Sequence, residues 1–263
     1  MRTTRRRLGR CFDGALGAAA LIGTGCHESS GAEVGTIGQE VITANAVTVN
    51  AITVNAITVN AITVNALTVN ALTVNALTVN ALTVNALTDP AARAFLKYVV
   101  SCALPDGTTL ALSADGEDYV FHGELGLAPE WGEEGGSCGE DCQRWVSACV
   151  LARVNAHGNE VHISVRGPHP ALQVTAEELG AYTDREAGFF GNLLASPQEL
   201  WACVAPSGSG LERTCGGDDD CGVHSVGSCE RACRSSGRHA AFRGCQGGSG
   251  QIYSQVITTF LHR

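Results

Sequence analysis

The chain has 263 residues, a net charge of −9, 16% charged residues and 44% hydrophobic ones. An acidic balance of that size repels a phosphate backbone, which argues against nucleic acid as a partner. Lys97 is the single lysine, so there is also no basic face for lipid headgroups, and any membrane attachment must come from elsewhere.

Residues 1–26 read as an export signal. Arg2, Arg5, Arg6, Arg7 and Arg10 form a basic start, and GALGAAALIG follows. That apolar stretch falls well short of the about 20 residues a membrane span needs. TRRRLGR has a loose twin-arginine character that leaves the export pathway open. The segment LIGTGC resembles a lipoprotein signal-peptidase site, with small residues before Cys26, Gly23 where Leu is usual and Ile22 one place earlier. The resemblance implies cleavage before Cys26 and a lipid on its sulfur; ordinary cleavage nearby would instead leave a free thiol. Cleavage there removes Asp13 and five arginines, leaving 25 acidic and 12 basic residues and a net charge of −13. Residues 27–34 are a short tether.

A five-residue repeat follows over 35–89. From Asn45 the chain reads NAVTV, NAITV three times, NALTV four times and NALT, with degenerate units from Gly35 making eleven in all. Five residues turn an α-helix by about 500°, so no apolar stripe forms. On a flat strand successive units put their central aliphatic on opposite faces. A chain that bends once per unit escapes both problems. The units resemble the pentapeptide-repeat family, which implies a short β-solenoid. Here Asn and Ala stand in exchanged order before the aliphatic, so either Asn or Val could be the inward residue. Between Val41 and Thr88 there is no charge, Gly or Pro. That composition equally suits an open or self-pairing β spacer.

From 90 to 263 the composition changes to that of a disulfide-rich α+β domain. Pro90 starts a helix with Phe95, Tyr98, Val99 and Cys102 on one face. TTLALSADGEDYVFHGE reads as a hairpin around ADGE. A helix within 138–155 aligns Cys142, Trp145, Cys149 and Arg153, with Gly158 as its stop. EVHISVR alternates as a half-buried strand, Thr175 and Glu178 form a capping box, and IYSQVITTFLHR closes as a strand. The last third of the domain is read as loops and cysteines.

The ten cysteines of this domain are Cys102, Cys138, Cys142, Cys149, Cys203, Cys215, Cys221, Cys229, Cys233 and Cys245. An even set in an exported chain favours disulfides over thiolate catalysis or a zinc site, with connectivity open. Ser225 in VHSVG partly matches a nucleophile elbow, but Val223 replaces the first glycine. His157 and His162 lack helical metal-ligand spacing. Asp218, Asp219 and Asp220 lie in the Gly-flanked loop CGGDDDCG, where oxygens could converge on Ca²⁺. Trp131, Trp145 and Trp201 are contact candidates as well as core candidates.

The layout resembles that of bacterial surface lipoproteins. It implies an exported, lipid-anchored protein at the outer membrane or surface of a Gram-negative cell. Expected partners are a surface protein or glycan, the membrane through the lipid, and further copies through the repeats. The alternative is a secreted hydrolase with a dispersed catalytic set.

Overall fold

Short-range chemistry decides most local elements. Pro90 stands first in helix α1 (Pro90–Ala103), where its missing N–H is harmless. Phe95, Tyr98, Val99 and Cys102 are all buried, as their spacing predicts. Strands β2 (Thr109–Ala114) and β3 (Glu117–His122) pair antiparallel across Asp115-Gly116. Both turn residues have positive φ, 53° and 83°, which suits the twist of a two-residue hairpin. The computed structural model describes residues 51–54, 87, 90–133, 136–156, 161–195, 197–206, 208, 210–215, 221–237 and 239–263.

Helix α2 (Glu140–Ala152) buries Cys142, Trp145 and Cys149, and Arg153 is its C-terminal cap. The expected stop, Gly158, lies outside the described residues. Helix α3 (Ala176–Ala181) is capped by the Thr175 hydroxyl, which accepts from the Glu178 N–H at 3.2 Å. The reciprocal half of a capping box is replaced. The Glu178 carboxylate accepts instead from the Ser164 hydroxyl at 2.5 Å.

The centre is an open six-stranded sheet in the order β1-β4-β10-β5-β6-β7. Its members are β1 (Ala51–Val54), β4 (Val161–Arg166), β5 (Tyr182–Asn192), β6 (Glu199–Val204), β7 (His224–Ser228) and β10 (Ile257–His262). Neighbours are antiparallel except β6 and β7. One face packs under α1 and α2 through Ile163, Val165, Ala187, Phe189, Leu200 and Ile257. The other carries a smaller core of Phe190, Cys203, Cys229, Phe242, Cys245, Tyr253 and Val256. The short helix α4 (Gly210–Cys215) joins the helical side, while α5 (Cys229–Ala232), β8 (Cys245–Gln246) and β9 (Ile252–Tyr253) build the second layer among the cysteines.

Two expectations need correction. The first is the β-solenoid. Among the described residues there is no closed or solenoid sheet, and Ala51–Val54 runs straight as an edge strand against β4. A tetrad alternating Ala-Ile-Thr-Val matches the period of two of a flat strand. The edge of β4 satisfies its backbone groups without a bend at each unit. The other repeat units lie outside the described residues. The second is β4, expected to be half-buried. Ser164 and Arg166 are buried as well as Ile163 and Val165, because Glu178 of α3 and the sheet interior cover both faces.

One ion pair ties the layers together. Thr259 of β10 pairs with Ala187 and Phe260 with Arg185, so Glu186 is an extra residue on β5, a β-bulge. Its carboxylate meets Arg213 of α4 in a two-point contact, Nε to Oε1 at 2.8 Å and Nη2 to Oε2 at 3.0 Å. The guanidinium also donates to the carbonyls of Val154 (2.6 Å) and Ala152 (3.2 Å), just past and at the end of α2. Near α1, Arg153 bonds Glu124 at 2.9 Å and Ser101, and lies over the Tyr98 ring.

These contacts set two expectations. Glu186→Gln keeps the side chain's shape but leaves Arg213 buried without its counter-charge, which costs about 3–5 kcal/mol. Urea unfolding with the disulfides intact checks it; a loss below about 1 kcal/mol sinks the clamp. Burial pushes the Tyr98 phenol from 10.0 up to about 12, against the opposing pull of Arg153. A raised folded value favours the neutral phenol. Its stabilisation is therefore complete below 10.0 and is lost as pH rises through about 12. Tyr98→Phe should flatten that part of the alkaline stability curve, measured by thermal melts from pH 9 upward.

Candidate functional site

On the cysteine side of the sheet, alternate residues of β6 deliver Trp201 and Cys203 into the smaller core. Cys203 bonds Cys229, and Cys233 bonds Cys245. The two bridges touch, with the Cys203 and Cys233 sulfurs 3.5 Å apart. Gly188 of β5 makes room for them: a Cβ there would stand 2.9 Å from the Cys203 sulfur. The sulfurs of Cys203, Cys229 and Cys233 lie within 4.8 Å of one another, the spacing of a metal site. Each is already committed to a disulfide, so none is a thiolate ligand. Cys102–Cys149, Cys138–Cys142 and Cys215–Cys221 complete the set, and all ten cysteines of the domain are paired.

Trp201 does not stand free as a ligand platform. A Cβ on Gly248 would come within 2.7 Å of its ring, and one on Gly247 within 3.0 Å of its Nε1, so this backbone lies across the indole. The His224 ring packs on it at 5.3 Å. Beside it the Tyr253 hydroxyl donates to Glu199 at 2.7 Å, and burial followed by that carboxylate raises the phenol's pKa. Trp131 is fully buried, and Trp145 packs edge-on against His169, whose pKa burial lowers. Trp131 and Trp145 are core residues.

The remaining sequence candidates are scattered. Ser225 is exposed on β7, and its hydroxyl accepts from the Gly227 N–H at 3.2 Å. His162 is exposed on β4 near the opposite edge of the sheet. Cys26, His157, Asp218, Asp219 and Asp220 lie outside the described residues. The Cys215–Cys221 bridge closes the loop that carries the three aspartates.

The sequence reading missed the edge of β4 itself. One side of this strand pairs with β10, in the register Leu261 to Ile163 and Thr259 to Val165. The other side receives Ala51–Val54, with Ala51 opposite Ser164, Ile52 opposite Ile163, Thr53 opposite His162 and Val54 opposite Val161. Ile163 and Ser164 are buried on opposite faces of β4, and backbone groups at such positions need hydrogen-bond partners. The repeat tetrad supplies the missing partners, and its aliphatic positions fall opposite the aliphatic positions of β4. The A-[IL]-T-V alternation carries the signal of such a strand within each unit, although the five-residue period across units does not match the period of two of a flat strand.

Gly248 tests the Trp201 cover. Gly248→Val should push the indole toward water, red-shift tryptophan fluorescence and cost about 1–3 kcal/mol of stability. An unchanged spectrum and stability would mean that the loop does not lie on the ring. In comparisons with known proteins, no family model, curated protein or solved structure matches this chain.

Proposed function

We propose that this chain is an exported envelope protein, anchored through a lipid on Cys26. Its disulfide-rich domain acts as a surface structural or binding module toward protein or glycan. The observation that carries this reading is the pairing of all ten domain cysteines into five bridges. Bridges of this density persist in oxidising compartments and are rare in reducing ones. No helix among the described residues is long and apolar enough to cross a membrane, and the signal-type sequence before Cys26 offers a lipid as the means of attachment. The rigid, stapled layer around Trp201 suits a module that must hold its shape outside the cell, where reductants and chaperones do not reach.

Fractionation and mass spectrometry of the mature chain test the proposal together. The expected N-terminal residue is a lipid-modified Cys26, and Cys26→Ala should move the protein from the membrane to the soluble fraction. An unmodified Cys26 overturns the anchor. Free thiols within Cys102–Cys245, trapped by alkylation at the moment of lysis, overturn the oxidised surface location.

A further inference from the structure

We propose that the β4 edge is a strand-acceptor site that takes a repeat tetrad from a second copy of this chain, in the register occupied by Ala51–Val54. This deepens the reading of the chain as a surface structural module by naming its partner.

The tetrad seated on β4 is not unique. Ala-Ile-Thr-Val recurs at 51–54, 56–59 and 61–64, and Ala-Leu-Thr-Val recurs at 66–69, 71–74, 76–79 and 81–84. A shift of the repeat by one unit therefore returns identical residues to every position of the 161–164 register. Strand addition is held by backbone hydrogen bonds, with side-chain fit deciding register. Neither changes among the three isoleucine units. The three isoleucine units are favoured over the leucine ones, because a β-branched residue opposite Ile163 suits a pleated strand. Each domain offers one such edge, whereas each chain carries several tetrads that match it. From Val41 to Thr88 the repeat also lacks charge and proline, two of the devices that keep strand edges from pairing between molecules. Ala51–Val54 carries no cysteine, so no bridge locks it to its own domain.

Competition between a chain's own tetrad and a neighbour's is set by concentration. Within one chain the tetrad and its acceptor edge are covalently connected, and such connection sets an effective concentration on the order of millimolar. Dilute chains close on themselves. Chains crowded by lipid anchors on one membrane reach the regime where exchange is equal or better, and a head-to-tail pairing that does not close extends into an array.

Paired cysteines read this directly, because Thr53 and His162 are opposed across the antiparallel pair and opposed Cα atoms lie within disulfide reach. The full-length double variant Thr53→Cys with His162→Cys, oxidised at low concentration, should close within one chain. Failure there shows that β1 does not occupy this edge and overturns the proposal at its base. For exchange, full-length His162→Cys is mixed at about 1 mM with isotope-labelled Thr53→Cys, Thr58→Cys or Thr63→Cys. Peptide mapping should find labelled-to-unlabelled cross-links to position 162 from all three, with yields within about twofold. Cross-links confined to single chains at that concentration overturn exchange, and a product from Thr53→Cys alone overturns the equivalence of the units. The readout uses purified chains, so it stands or falls separately from the lipid on Cys26.

Discussion

The contact between Arg213 and Glu186 is the constraint on which the rest of the domain depends. No disulfide joins the first half of the domain to the second. Cys102–Cys149 and Cys138–Cys142 staple α1 and α2, while the other three bridges all lie beyond residue 200. The halves are joined by the sheet, by hydrogen bonds such as those of Leu193 N–H to the Ser147 hydroxyl and Asn192 to Gln143, and by this guanidinium, which alone of these touches both the end of α2 and the bulge of β5. A buried carboxylate without such a partner would be untenable, so the bulge and the arginine are conditions of each other.

The same device recurs. Arg166 lies 3.9 Å above the Phe260 ring and donates to the carbonyls of Tyr182 and Glu178. Arg185 sits 4.1 Å above Phe242 and holds Glu230, Ser235 and the carbonyls of Gly237 and Ala240. Irregular backbone must have its carbonyls satisfied, and a planar five-donor group stacked on an aromatic ring does this where regular pairing has stopped.

These clamps also mark where sequence reading ran out. The α1 face, the β2–β3 hairpin, α2 and the Thr175 cap were legible, because each is decided by residues three or four apart or by two turn residues. Strand β5 was not. Its stretch YTDREAGFFGN carries Asp184, Arg185 and Glu186 in succession, three charges that give no signal of a buried strand until Arg213 and Phe242 are brought beside it from 27 residues and more away. The repeat failed in the opposite way. Its period was plain, and the geometry inferred from it was local, whereas the partner that straightens Ala51–Val54 is β4, over a hundred residues downstream. The Trp201 enclosure depends on Gly247 and Gly248, which have no side chain to signal a contact in the sequence and whose backbone lies across the indole in the fold.

The bridge pattern has a consequence for biogenesis. Two pairs are nested, with Cys138–Cys142 inside Cys102–Cys149 and Cys215–Cys221 inside Cys203–Cys229, and Cys233–Cys245 alone neither encloses another pair nor lies inside one. A chain oxidised in order of emergence would join Cys102 to Cys138 and Cys203 to Cys215, trapping four wrong bridges before the sheet could form. Native pairing therefore requires either that oxidation wait for the sheet or that an isomerase shuffle the early products. The maturation of this protein is governed by the tempo of oxidation relative to folding.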